Sequence, residues 1–306
     1  MVPGEPGRLG PVLSGHLGPR RAAVVGSPVE HSLSPVLHRA AYTALGLAGW
    51  TYDRVQVAAG GLAAHVRSLG PEWVGLSVTM PGKEEALALA DEASPDAVLA
   101  GAANTLVRRD DGWYADNTDI LGLATALQRE LERGGAGPPR RALVLGGGAT
   151  ARSAVLALRR LGAEEITLLV RDRLRPETAA MLERLEQHPG PISPQVRTGR
   201  LADGIPLDGV TAHVVVGTLP ADAPAPDLHL PTVDAPAPVL LDATYAPWPS
   251  PLARAVADRT AGRVAVVRGT AMLLHQAVGQ VELMTGRTAP LAEMAEALDQ
   301  HLGAAR

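Results

Sequence analysis

The stretch RALVLGGGATARSAVLALRRLGAEEITLLVRD, Arg141 to Asp172, decides the fold. An apolar run, ALVL, stops at Gly146, Gly147 and Gly148. Apolar residues then recur at helical spacing, and a second apolar run, ITLLV, closes the stretch. Strand, glycine turn, helix, strand is the repeating unit of a parallel sheet, because parallel neighbours need a crossover connection, usually a helix.

Within the turn, Gly146, Gly148 and Ala151 give the spacing G-x-G-x-x-A. Glycines here allow a tight turn and close backbone approach to a pyrophosphate, and the helix start supplies N–H groups. A plain tight strand-to-helix turn would use glycines too; the surrounding strand and helix signals favour a dinucleotide. The end of the second strand bears on which one. NAD sites usually carry an acid about twenty residues past the glycines. Here Arg171, Arg173 and Arg175 surround Asp172. Guanidinium groups suit a 2′-phosphate, which favours NADP; Asp172 leaves NAD open.

Outward from this stretch the alternation continues. A Gly/Pro break, LERGGAGPPR at residues 131–140, precedes it, and strand patterns AHVVVGT, PVLLDAT and RVAVV follow. Before the break come RAAVVG as strand, SPVLHRAAYTALGL as helix, WTYDRVQV as strand, GGLAAHVRSLG as helix and EWVGLSVT as strand. GKEEALALADEA reads as one helix, and ANTLVRRDDGWYADN as a hairpin turning at Asp111-Gly112. The chain closes on two helical patterns, TAMLLHQAVGQVELM and PLAEMAEALDQHL. The segment PADAPAPDLHLPTVDAPAP reads as a surface loop. The expected class is α/β with mostly parallel sheets covered by helices.

The totals agree. At 306 residues, 46% of them hydrophobic, the chain can bury two cores. A net charge of −4 argues against general nucleic-acid binding. There are no cysteines, which excludes thiolate chemistry and fits a reducing cytoplasm. No apolar run reaches the roughly eighteen residues of a membrane span. The first twenty residues, rich in Gly and Pro, read as a flexible tail. The nine histidines are scattered, so no metal site is expected.

Polar motifs stand at strand ends and helix starts in the first half: HSLSP, SVTMPGK, GAANTL and DNTD. Ligands collect at such places in α/β sheets. Singly each has a plain reading. Ser34 before Pro35 and Asp119 before an apolar helix both make good N-caps, and a lone lysine such as Lys83 is usually solvated. Together they describe a site: a lysine and an aspartate able to hold and pass a proton, with short Ser, Thr and Asn donors for hydroxyls and a carboxylate. Joined to a nicotinamide domain, this set points to carbonyl reduction.

The ordered motifs HSLSPVLH, SVTMPGK, GAANTL, DNTDILG, LGGGATARSA, LDATYAPWPSPL and RGTAMLLHQA resemble the shikimate dehydrogenase family from about Val24 to Gly286. The resemblance implies an N-terminal α/β substrate domain completed by C-terminal helices, residues 21–122 and 269–306. It also implies an inserted Rossmann NADP domain, residues 123–268. Residue by residue it implies that Ser32 and Ser34 hold the substrate carboxylate, and that Thr79 and Asn104 bind ring hydroxyls. Lys83 and Asp119 match the family's catalytic pair, and Tyr245 and Gln276 complete the substrate site. Gly146, Gly147, Gly148 and Ala149 form the dinucleotide turn, Arg171 and Arg175 grip the adenosine phosphate, and Gly269 and Met272 face the nicotinamide.

Several positions depart from the family pattern. Ser77 replaces an Asn, Val170 and Asp172 replace the Asn and Thr of N-R-T, the turn reads GGGAT, and Gly217-Thr218 stands where an Asn is common. The implied reaction is NADPH-dependent reduction of 3-dehydroshikimate to shikimate in a cytoplasmic monomer or homodimer. Quinate or aminoshikimate dehydrogenases, another two-domain Rossmann enzyme and a non-catalytic sensor are the competing readings.

Overall fold

The computed structural model describes residues 19–110, 112–190, 192–207, 212–229 and 237–304. Nearly all of the expected tail, Asp111 of the expected hairpin turn, and part of the Pro/Ala/Asp loop lie outside the described residues. The described chain divides by contacts into two units. One takes its residues from Met1–Ala93, Thr105–Ala115 and Val278–Arg306; the other is Ser94–Asn104 with Asp116–Ala277.

The first part of the chain runs β1 (Arg20–Gly26), α1 (Ser34–Ala44), β2 (Trp50–Gln56), α2 (Leu62–Arg67), β3 (Trp73–Val78), α3 (Lys83–Leu89), β4 (Glu92–Ala93), α4 (Pro95–Ala100), β5 (Thr105–Arg109) and β6 (Gly112–Asp116). Its strands form one sheet in the order β2-β1-β3-β5-β6-β4. β1 pairs parallel with β2 and β3, whereas β3 and β5 are antiparallel. The sheet is therefore mixed. All six residues of β3 are buried, as expected of a central strand covered on both faces.

The single helix expected over residues 82–93 is broken. α3 stops at Leu89, and a two-residue strand and a second short helix follow. Asp91 is drawn to the sheet edge, where its carboxylate accepts from the Trp113 N–H at 2.8 Å and its own N–H donates to the Trp113 carbonyl. Ser94 then caps α4 by accepting from the Ala97 N–H at 3.1 Å, with Pro95 in the first turn.

The chain continues α5 (Thr118–Arg133), β7 (Arg141–Leu145), α6 (Ala149–Arg160), β8 (Glu165–Val170), α7 (Pro176–Gln187), β9 (Gln195–Arg200), β10 (Ile205–Pro206), β11 (Val214–Gly217), β12 (Leu228–His229), β13 (Val239–Asp242), α8 (Pro251–Thr260), β14 (Ala265–Arg268), α9 (Thr270–Thr285) and α10 (Leu291–Ala304). Six of these strands make a sheet in the order β14-β13-β11-β7-β8-β9, parallel throughout. Counted along the chain, this is the 3-2-1-4-5-6 order of a Rossmann sheet. Its core lies on both faces: Val144, Ile166, Leu168, Val214, Val216 and Leu241 are in one apolar cluster, and Leu143, Leu145, Val215 and Leu240 in another. The apolar runs ALVL and ITLLV are apolar on both sides for this reason.

Candidate active site

The order of the second sheet reverses at β7, between β8 and β11. Ligands of open α/β sheets bind outside the strand ends at that point. Gly146 follows β7 there with φ +117°, a conformation suited to glycine. A Cβ on Gly146 would lie 2.4 Å from Thr218 Oγ1. Thr218 is held in turn by its N–H and hydroxyl, both donating to the Leu145 carbonyl at 2.9 and 2.8 Å. Thr218 thus lines the turn; in the sequence it stands out only as part of Gly217-Thr218, where the family pattern commonly has an Asn. Thr178 of α7 donates to the Gly147 carbonyl at 2.8 Å, and Gly147 sits against Val170.

Gly148 is the N-cap residue and Ala149 the first residue of α6. A Cβ on Gly148 would meet nothing within 4 Å, which leaves room above the first N–H groups of the helix. Arg171, Asp172, Arg173 and Arg175 follow the end of β8 and are exposed. Their side chains make no hydrogen bond or ion pair among the described residues. A glycine cradle at the switch point with cationic side chains at the next strand end fits a dinucleotide carrying a 2′-phosphate.

Asn104, Asp119 and Gln276 come from three distant segments and meet in the same unit. The Asn104 amide Nδ2 lies 2.8 Å from Asp119 Oδ1, 3.2 Å from Gln276 Oε1 and 2.9 Å from Thr118 Oγ1. An amide has two hydrogens. They go to Asp119 and Gln276 when the Thr118 hydroxyl instead donates to Asn104 Oδ1, at 3.1 Å. Asn104 Oδ1 also accepts from the Thr118 N–H at 2.8 Å, at the start of α5. Asn104 therefore caps α5 from another segment. The expected capping role of Asp119 is corrected: the N-cap is Asn117, and Asp119 is the second residue of the helix, 4% exposed. Gly122, one turn on, lets the α9 backbone approach: a Cβ there would lie 2.7 Å from the Met272 carbonyl and 2.9 Å from Gln276 Cβ.

The remaining expected residues of this unit stand nearby in sequence. Met272 is buried in the core cluster that includes Ile120 and Leu123. Gly269 allows the close approach of the Ala243 carbonyl, 2.2 Å from where a Cβ would be. The Arg268 guanidinium donates to the Tyr245 carbonyl at 2.6 and 3.2 Å and lies over the Trp248 ring. Asp242 anchors the same loop, accepting from Ser250 and from the Thr244 N–H; burial raises its pKa above the usual carboxylate range.

In the first unit the segments leaving β1 and β3 are adjacent. The Thr79 N–H donates to the Val25 carbonyl and the Ser27 N–H to the Met80 carbonyl, both at 2.9 Å. Ser32 and Ser34 are buried, and the Ser32 hydroxyl accepts from the Ser34 N–H at 3.3 Å. The cap expected at Ser34 is corrected too: Leu33 is the N-cap of α1 and Ser34 its first residue. Arg54 of β2 fixes this segment, donating to the Ser32 carbonyl at 2.9 and 2.6 Å. No sequence signal singles it out.

Lys83 is the first residue of α3, half-buried, four residues after Thr79. A cation at a helix N-terminus opposes the helix dipole, so local stability does not explain it. Glu85, one of the two acids beside it, serves another helix: its carboxylate accepts from the Gly60 and Leu62 N–H groups at 2.6 and 3.2 Å, where α2 begins. Behind Thr79, Ser77 belongs to a buried polar network. Tyr52 donates to Ser77 at 2.5 Å, Ser77 to Gln280 Oε1 at 2.7 Å, and Gln280 Nε2 to Thr105 at 3.1 Å. His38 shares Gln280 Oε1 at 3.3 Å and stacks on Tyr52. Among the described residues no three His, Asp or Glu side chains group as metal ligands, and no helix is long and apolar enough to cross a membrane.

Comparison with known proteins matches residues 24–106 to the family described as shikimate dehydrogenase substrate binding domain, and residues 269–298 to the shikimate 5'-dehydrogenase C-terminal domain. The shikimate dehydrogenase (NADP(+)) of Citrifermentans bemidjiense is 37% identical over 92% of this chain and 95% of its own length. The crystal structure of Mycobacterium tuberculosis shikimate dehydrogenase is 44% identical, with a TM-score of 0.74, covering 92% of this chain and 100% of that one. The Thermus thermophilus shikimate 5-dehydrogenase, solved in complex with NADP(H) and shikimate, is 28% identical with a TM-score of 0.72, over 92% and 99% of the two chains. The chain also matches pentafunctional AROM polypeptides, such as that of Lachancea thermotolerans, and spans 18% of their length.

Proposed function

The chain belongs to the shikimate dehydrogenase family, and we propose that it catalyses the reversible, NADPH-dependent reduction of 3-dehydroshikimate to shikimate. The observation that carries the reading is the buried meeting of Asn104, Asp119 and Gln276, which gathers hydroxyl-binding groups beside a carboxylate. In this proposal residues 21–122 and 269–306 bind the substrate, and residues 123–268 bind the dinucleotide.

Gly146 to Ala149 would hold the dinucleotide, with Arg171 and Arg175 for its adenosine phosphate and Gly269 and Met272 for its nicotinamide, and it would supply the hydride. The chain's own side chains do the rest. Ser32 and Ser34 take the substrate carboxylate. The Ser34 hydroxyl has no partner among the described residues, which leaves its hydrogen for a ligand. Thr79, Asn104, Tyr245 and Gln276 fix the ring. Lys83, as the ammonium, donates its proton to the oxygen on which negative charge develops, and Asp119 orients the lysine and the hydroxyl. In the reverse direction the same pair removes the hydroxyl proton.

The test is absorbance at 340 nm with shikimate or quinate, each with NADP+ or NAD+. Turnover of shikimate with NADP+ well above the other combinations supports the whole reading. A preference for NAD+ would assign the cofactor choice to Asp172, and turnover of quinate would widen the substrate. A folded protein that binds NADPH but turns over neither acid would overturn the enzymatic reading.

A further inference from the structure

α6 begins at the dinucleotide turn, and its fourth residue, Arg152, is fully buried. Two physical effects oppose that placement: the positive end of the helix dipole and the removal of a guanidinium from water. What Arg152 touches explains it. Its Nε donates to the Ala100 carbonyl at 2.7 Å and Nη2 reaches the Gly101 carbonyl at 3.4 Å. These carbonyls end α4, where a short helix leaves its last acceptors outside the ladder and concentrates negative potential. Gly101 closes α4 in the left-handed region at φ +64°, and the next residues are Ala102, Ala103 and Asn104.

The neighbouring side chain repeats the contact. Ser153 Oγ lies 3.2 Å from both Asn117 Oδ1 and the Ala149 carbonyl of its own helix, so its one hydrogen is shared between them, and Asn117 Nδ2 donates to the Ala102 carbonyl at 2.9 Å. Ser153, Asn117 and Ala102 are buried. The Asn104 N–H bonds to the Asp116 carbonyl at 3.0 Å, closing the loop onto the segment that starts α5. Two consecutive residues of α6 thus hold the segment that leads into Asn104 and the segment that leads into Asp119, the two sides of the β5–β6 hairpin.

We propose that Arg152 and Ser153 are positioning residues for the substrate: they tie the first turn of the dinucleotide helix to the loop presenting Asn104 and to the start of α5 presenting Asp119. The inference rests on the reading of Asn104 and Asp119 as substrate-binding and proton-transfer groups. The rival role for a cation in this turn is service to the bound nucleotide's phosphates, and the two roles separate by measurement.

The experiment compares Arg152→Met, Arg152→Lys and Ser153→Ala with the parent protein. Arg152→Met should raise the KM for shikimate about tenfold, the loss expected for a charge-assisted hydrogen bond, with the Kd for NADP+ within about twofold of the parent. Arg152→Lys, keeping one donor, should recover part of that loss, and Ser153→Ala should raise KM about threefold. An Arg152→Met protein with weakened NADP+ binding and an unmoved KM would overturn the proposal in favour of the nucleotide role.

Amide hydrogen exchange makes the test independent of substrate. In Arg152→Met, peptides covering residues 100–106 should exchange faster while those in β7 and β8 do not change. Unchanged exchange at 100–106 would overturn the proposal whatever the activity. Faster exchange there in a protein whose parent fails to turn over shikimate would reject the assigned reaction and leave the positioning role standing.

Discussion

Two strand-to-helix turns, after β3 and after β7, do the same topological work with opposite chemistry. The turn after β7 offers backbone. Gly146 takes a conformation suited to glycine, Gly147 packs against Val170, Gly148 leaves open space, and α6 presents its N–H groups. The turn after β3 offers side chains. Thr79 and Lys83 stand four residues apart, and Lys83 opens a helix whose dipole disfavours it. The strands behind the turns differ in the same sense. β7 has apolar neighbours on both faces, whereas β3 carries Ser77 into a buried network with Tyr52, Gln280, Thr105 and His38. Under the proposed function the turn after β7 binds phosphate through backbone, and the strand behind it needs only close packing. Under the same proposal the turn after β3 aims a cation at one atom, and the strand behind it is backed by directional bonds.

The sharpest way to break this contrast is Lys83→Ala. If the side chain is what the turn provides, kcat should fall by about two to four orders of magnitude with the melting temperature little changed. A near-parental kcat at 340 nm would remove Lys83 from the chemistry. Next comes Gly146→Ala, where a backbone feature is attacked. The positive φ and the 2.4 Å approach to Thr218 Oγ1 predict a strain of about 1–3 kcal/mol, read as a lower melting temperature with a raised Kd for NADP+. Parental affinity in that variant would show that the turn tolerates a side chain.

A smaller effect is expected from Arg171→Ala combined with Arg175→Ala. The KM for NADP+ should rise about tenfold while that for NAD+ stays level, since only the former has a phosphate for these side chains. Equal losses for both cofactors would separate these arginines from the 2′-phosphate.

The last test leaves the turns themselves and concerns the network behind β3. Burial lowers the pKa of His38 to about 3, against a partial upward pull from its bond to Gln280. The unfolded chain takes up this proton below about pH 6.5, while the folded chain holds out to about 3. Stability from neutral His38 is therefore complete above about pH 6.5. It is lost as pH falls through that window, by at most about 1.4 kcal/mol per pH unit. Denaturant titrations of His38→Gln should show a flatter decline between pH 6.5 and 4 than the parent. Parallel declines would assign the acid sensitivity to other groups.

The two turns also differ in how far they were legible. The stretch from Arg141 to Asp172 gave its strand, turn, helix and strand directly, because backbone demands leave residue-type signatures: glycine where φ is positive, apolar runs where both faces are covered. β9 was missed, and it completes one half of the Rossmann sheet. It is an edge strand with an exposed and intermediate burial pattern, so QVRTGR carries no apolar alternation. The break after α3 was missed because the amphipathic pattern runs on, while Asp91 is taken by a strand that follows later in the chain.

What the sequence determined by itself is the alternation of strand and helix, the hairpin, the glycine turn and the residue types of the polar motifs, all of which follow from local spacing and backbone geometry. What only the tertiary structure decided is partnership. Asn104 caps α5 while reaching Asp119 and Gln276, Arg54 pins Ser32, Glu85 serves α2, Thr218 lines the turn, and Arg152 holds the end of α4. Each of these bonds joins residues far apart in the chain. A hydrogen bond is set by distance and direction between two groups, and local sequence fixes neither until the sheets have brought the segments together.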